Sequence, residues 1–212
     1  MDETPQERFG AMTQDTLQLV YLHGFRSSPN SSKAKLTGAA VQAKIDAGAA
    51  LHWFCPQLPP APQKAIDLVL SHLQTTQPAR VAIIGSSLGG FYANWLAEHL
   101  GCRAVVLNPA VYAARELAPY VGELTQYDSH EPFDFKAEYI EELKALQIMQ
   151  ITAPERYFLM AAKGDELLDW REMVDFYANA HQLVLEGSDH GLSEYSHYLP
   201  RVLDFVGAGS QA

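Results

Sequence analysis

Six short apolar runs recur along this chain: Leu17 to Leu22, Leu51 to Cys55, Val81 to Ile84, Ala104 to Leu107, Tyr157 to Ala161 and Leu183 to Leu185, all bounded by turn-forming residues. They are continuous rather than alternating, the pattern of strands buried on both faces. Between them lie helical patterns, with Ile66, Val69, Leu70 and Leu73 on one face of 65–73 and a second stretch at 91–100. Strand and helix in alternation predict an α/β fold, a mostly parallel six-stranded sheet with helices on both faces. The 212 residues suit one domain. A chain of this length buries roughly 70% of its unfolded surface, so no disulfide or structural metal is required to hold it.

One segment breaks the alternation. Residues 112–151 are far too long for an ordinary connection after the fourth strand and read as an insertion. Up to Gln150 it holds eight acidic residues (Glu116, Glu123, Asp128, Glu131, Asp134, Glu138, Glu141, Glu142) against Arg115, Lys136 and Lys144, half of the chain's net charge of −10. Ile140, Leu143 and Leu146 recur every three residues, so its second half is expected to be an amphipathic helix packed on the body. The insertion reads either as a solvated acidic face or as a lid over a site. The domain is expected to span 17–206, with polar, aperiodic tails at 1–16 and 207–212 that are expected to be flexible.

Fifteen Lys and Arg face 25 Asp and Glu with no basic block, which makes nucleic acid and anionic membrane poor partners. Cys55 and Cys102 imply no disulfide framework and read as reduced, largely buried thiols. The N-terminus carries Asp2, Glu3 and Glu7 and no apolar segment, unlike a secretory signal. The uncharged stretch 81–97 is broken by Ser86, Ser87 and Asn94 and falls short of the ~20 apolar residues of a membrane span. A soluble, cytoplasmic protein is the expectation.

The chemistry is concentrated at Val81-Ala82-Ile83-Ile84-Gly85-Ser86-Ser87-Leu88-Gly89-Gly90, a strand running through Gly-x-Ser-x-Gly into a helix. A nucleophilic serine on so tight a turn needs glycine two places before and two after it, so that the backbone has room to fold. Gly85 and Gly89 meet that need for Ser87, whereas Ser86 is flanked by Ile84 and Leu88. Such a serine also needs a base to take its proton and an acid to orient the base. Asp165 follows the fifth strand behind Gly164, and His190 follows the sixth in Gly187-Ser188-Asp189-His190-Gly191. The order Ser87, Asp165, His190 is that of an α/β-hydrolase. Asp169, one helical turn further on, remains an alternative acid. The loop His23-Gly24-Phe25 after the first strand is expected to supply one oxyanion donor, the Phe25 N–H, and the residue after the nucleophile, Leu88, the other.

Taken together, His23-Gly24-Phe25-x-Ser27-Ser28-Pro29, Cys55-Pro56-x-Leu58-Pro59-Pro60, Gly85-Ser86-Ser87-Leu88-Gly89-Gly90, Leu107-Asn108-Pro109-Ala110, Gly164-Asp165-Glu166 and Asp189-His190 resemble the small bacterial YqiA-type esterases of the α/β-hydrolase superfamily. The likeness runs from about Leu17 to Val206. It implies a compact α/β-hydrolase fold lacking the first two strands of larger members, with sheet order 2-1-3-4-5-6 in this chain's own numbering. It also implies ester or thioester hydrolysis without a cofactor, with Ser87, Asp165 and His190 as triad and Phe25 and Leu88 at the oxyanion. Gln57 stands where such proteins commonly carry an acidic residue before Leu-Pro-Pro, and Gly191-Leu192 where alanine or serine and then phenylalanine commonly follow the histidine. Those departures touch the pocket lining, not the triad.

Competing readings are weaker. A phosphate-binding Gly-x-Gly-x-x-Gly turn starting at Gly85 needs glycine where Ser87 stands, and no Lys-Ser/Thr pair follows for a P-loop. His23 and Ser28 read as structural members of their loop, and the remaining histidines show no ligand spacing, so no metal is expected. The acidic insertion argues for a neutral or weakly charged short to medium acyl ester. Arg26, Lys33 and Lys35 in or just after the first loop keep acyl-CoA or another thioester open. The reading from another class is a non-catalytic binding protein on a hydrolase scaffold that presents the insertion to a partner.

Overall fold

The computed structural model describes residues 16–127, 129 and 131–209. Its core is a six-stranded sheet of β1 (Leu17–Leu22), β2 (Leu51–Phe54), β3 (Val81–Ser86), β4 (Arg103–Leu107), β7 (Tyr157–Ala162) and β8 (His181–Leu185). The order is β2-β1-β3-β4-β7-β8, with every neighbouring pair parallel. Counting only these strands, this is the expected 2-1-3-4-5-6. The inner strands β3 and β7 are buried along their whole length, as unbroken apolar runs require when both faces are covered.

Five helices pack on one face: α2 (Pro62–Leu73), α3 (Leu88–Leu100), α4 (Ala113–Leu117), α5 (Ala137–Ala145) and α6 (Trp170–Phe176). The other face takes α1 (Ser32–Asp46) and α7 (Tyr195–Phe205), whose Ala34, Val41, Tyr195, Leu199 and Val202 meet Leu19, Tyr21, Val105 and Phe158 of the sheet. The two alternating side-chain rows of the inner strands β1, β3, β4 and β7 thus feed two separate cores.

The insertion contains α4, a two-stranded antiparallel hairpin of β5 (Gly122–Thr125) and β6 (Pro132–Phe135), and then α5. Leu143 and Leu146 are buried and Ile140 is half-buried, which is the apolar stripe expected of α5. The hairpin is seated by Phe133 and Phe135, both buried, with Phe135 in edge contact with Phe25 at 4.9 Å between ring centres. Most of the expected flexible tails, 1–15 and 210–212, lie outside the described residues. At 207–209 the chain continues against the body, with Ala208 buried beside α7.

Candidate active site

The chain leaves β1 for the edge strand β2 and returns to β3 on the other side of β1, so the loops after β1 and β3 diverge from neighbouring carboxyl ends. In open parallel sheets that point is where a crevice forms. Ser87 stands there, between the end of β3 and the start of α3, at φ 56° and ψ −121°, in a region that side chains other than glycine rarely adopt. Neighbours hold the turn: the Ser87 N–H donates to the Leu107 carbonyl at 3.0 Å, and the Ser87 carbonyl accepts from the Ala110 N–H at 3.1 Å. A Cβ at Gly85 would lie 2.1 Å from the Gly89 carbonyl oxygen, and one at Gly89 would lie 2.0 Å from that of Leu22. Both glycines are therefore dictated by backbone approach, at the spacing the sequence motif gives.

His190 Nε2 lies 3.1 Å from Ser87 Oγ, and His190 Nδ1 lies 2.8 and 3.0 Å from the two carboxylate oxygens of Asp165. The Asp165 side chain is fully buried and also accepts the N–H groups of Leu167 and Leu168, each at 2.9 Å, which fixes the carboxylate toward the imidazole. A close backbone approach brings the two loops together, since a Cβ at Gly164 would meet the Ser188 carbonyl oxygen at 2.4 Å. Asp169, the alternative acid, is elsewhere. It caps α6 by accepting the Arg171 N–H at 2.9 Å and pairs with the Arg171 guanidinium.

Two further residues steady the histidine, and the sequence reading gave neither a role. Asn108 is fully buried with φ 42°, and its side-chain amide donates to the carbonyls of Asp189 and His190, each at 3.0 Å, while its Oδ1 accepts the Ala162 N–H at 2.8 Å. One side chain thus ties the ends of β4 and β7 to the histidine loop. Glu166 accepts the His190 N–H at 3.0 Å. The available signal for Asn108 was a lone amide between an apolar strand and a proline, a place where a buried polar group demands partners.

The loop after β1 abuts the serine: a Cβ at Gly24 would come within 3.2 Å of Ser87 Cβ. His23 is buried and locks this loop, its Nε2 accepting the Leu58 N–H at 3.0 Å. Leu88 is the first residue of α3, so its N–H has no acceptor within the helix. Phe25 and Leu88 both border the cavity that Ser87 and His190 face.

That cavity is about 510 Å³. The insertion forms one wall through Glu116, Leu117, Tyr120 and Tyr127, while Leu167 and Leu168 from the Asp165 loop add apolar surface. The three cations near the first loop divide. Arg26 turns to the insertion, donating from Nε to the Thr125 carbonyl at 2.5 Å and lying over the Tyr127 ring. Lys35 borders a separate shallow polar cleft. Lys33 faces the cavity.

Cys102 is buried and Cys55 half-buried, and burial pushes both thiols up to about 12, far from thiolate nucleophiles. Among the described residues, no group of three or more His, Cys, Asp or Glu is arranged to hold a metal ion, and no helix is long and apolar enough to cross a membrane.

Comparison with known proteins agrees with this architecture. The model of an uncharacterised protein family, UPF0227, matches residues 18–207. The crystal structure of a protein from Agrobacterium vitis S4 superposes with a TM-score of 0.72 at 16% identity, covering 92% of this chain and 90% of its own. Alpha/beta hydrolase domain-containing protein 10 from mouse gives 0.64 at 16% identity, covering 88% and 89%. Est1E of Butyrivibrio proteoclasticus with bound ferulic acid gives 0.61 at 15% identity, covering 91% and 87%. At such identities these structures establish the α/β-hydrolase fold.

Proposed function

The chain belongs to the UPF0227 family, the YqiA-like family, and from that membership and the relay at its sheet edge we propose that it is a serine esterase acting on carboxylic esters of short to medium acyl chain. The observation that carries this reading is the hydrogen-bonded series Ser87, His190, Asp165, with the serine 3.1 Å from Nε2. Ser87 Oγ attacks the ester carbonyl while His190 takes its proton, and Asp165 holds the imidazole with Nε2 facing the serine. The new oxyanion is received by the Phe25 and Leu88 N–H groups, each worth about 3 kcal/mol in the transition state. Collapse expels the alcohol, protonated by His190, and leaves an acyl-serine. Water activated by the same histidine then releases the acid. No step calls for a cofactor or metal.

The cavity's apolar residues suit an acyl chain, and its position under the insertion supports the reading of 112–151 as a lid. A thioester is the alternative substrate, because the same acyl transfer serves both. The test is turnover of 4-nitrophenyl hexanoate by the native protein and by Ser87→Ala. Turnover that disappears in the variant is expected, with matched oxygen esters and thioesters then ranking the two classes. No turnover above background by the native protein would return the chain to the binding-protein reading, and equal turnover by both proteins would remove Ser87 from the reaction.

A further inference from the structure

The residues around the cavity are not evenly distributed in character. Leu117, Tyr120, Leu167 and Leu168 make one part apolar, whereas Ser27, Ser31, Ser32, Lys33 and Tyr21 bring polar atoms to another. Lys33 is the one Lys or Arg on the cavity wall among the described residues. Its ammonium donates to the Gly191 carbonyl at 2.6 Å, next in sequence to His190, and it has no carboxylate within ion-pair distance among the described residues. The acidic groups around it are engaged elsewhere. Asp165 is held by His190 and by two backbone N–H groups, Asp189 accepts from Ser193, and Glu116, also on the cavity wall, is paired with Arg115. Burial lowers the Lys33 pKa to about 8, with Asp189 and Asp165 opposing the shift, so the group is still cationic at neutral pH.

Two independent features lie beside it. Ser31 and Ser32 open the 15-residue helix α1, whose first-turn N–H groups have no acceptor within the helix and whose N-cap, Ser31, makes no side-chain capping bond. Tyr21 is fully buried, yet its hydroxyl, close to Ser86, makes no hydrogen bond of proper geometry. Burial holds that phenol protonated, so it is a donor without an acceptor, a costly arrangement unless something supplies one.

We propose that Lys33, the start of α1 and the Tyr21 hydroxyl form a subsite for an anionic group, a carboxylate carried by the substrate itself, so that the preferred ester bears a free carboxylate besides its scissile bond. The proposal rests on the esterase reading and sharpens it, and it departs from the neutral ester that the acidic insertion suggested. A carboxylate supplies what each group lacks: a counter-charge for the ammonium and acceptor oxygens for the phenol and the helix N–H groups.

The test is the ratio of kcat/KM within matched pairs, 4-nitrophenyl hydrogen adipate against 4-nitrophenyl hexanoate, and 3-carboxyphenyl hexanoate against phenyl hexanoate. These place the carboxylate on the acyl and the alcohol side. The native protein is expected to favour the carboxylate in at least one pair by about tenfold or more, the worth of a hydrogen bond to a charged group. Lys33→Met should abolish that ratio and Lys33→Arg should keep most of it. Because a general loosening of the histidine loop slows both members of a pair, the ratio isolates the subsite. A ratio at or below one in both pairs, a ratio that survives Lys33→Met, or hydrolysis of none of the four esters overturns the proposal. In the last case fluorophosphonate labelling separates the two failures: labelled Ser87 means that only the subsite is wrong, and unlabelled Ser87 means that the esterase reading beneath it has failed.

Discussion

On the proposed reading, Ser87 is made a nucleophile more by the residues that constrain it than by its own chemistry. Its positive φ is tolerable because the glycines on either side admit carbonyl oxygens where a methyl group would collide. At the same scale the two candidate acids part, since Asp165 reaches the imidazole and Asp169 caps α6. Asp165→Asn is therefore expected to lower kcat by about 10³–10⁴-fold. Asp169→Asn should leave it nearly unchanged, because asparagine also caps helices well; steady-state kinetics on the pair checks the assignment. Asn108→Ala strips one buried N–H of its acceptor and two carbonyls of their donor. It should cost on the order of 2–3 kcal/mol in denaturant melts and lower kcat more than it raises KM.

The helices and strands carry the site in ways that differ in how visibly the sequence announces them. Strands β1, β3, β4 and β7 were readable because burial on both faces leaves an unbroken apolar signature. The edge strand β8 starts earlier than its apolar run, at His181 and Gln182, since one open side admits polar residues. The β5–β6 hairpin was not readable at all. Its strands are four residues each, carry Gly122 and Pro132, and alternate exposed with covered positions, so they gain their place from Phe133 and Phe135 packing on Phe25 rather than from propensity.

Helix α3 is fastened by Glu98 to the segment that follows the insertion and leads into β7. Burial works against this carboxylate, but hydrogen bonds from Thr152 and Tyr157 and the Arg156 charge outweigh it and hold its pKa below the ordinary glutamate value. Stability from a lowered carboxylate pKa is fully present above the unfolded value and disappears as pH falls through the folded one. Glu98→Gln should thus lower Tm by about 3–6 °C at pH 7 through the weakened charged hydrogen bonds. The gap between variant and native protein should close as the pH drops beneath the ordinary carboxylate range. Thermal melts from pH 7 to pH 3 read both effects.

At the scale of the whole molecule, the sheet order does the assembling. Because β1 lies between β2 and β3, the Gly24-Phe25 loop meets Ser87, and because β7 and β8 are neighbours, Asp165 meets His190. The linear order of the motifs let these residues be picked out, since each follows a strand. What linear order could not convey was the cross-linking by Asn108, the division of labour among Arg26, Lys33 and Lys35, and the polar part of the cavity, all of which depend on contacts between distant segments.

Exposing native protein and Ser87→Ala to a fluorophosphonate, and reading intact mass and peptide map, tests whether Ser87 is an activated nucleophile. One covalent adduct is expected, on the peptide containing Ser87 and absent from the variant. An unmodified native protein, or an adduct that persists in Ser87→Ala, would contradict an activated Ser87.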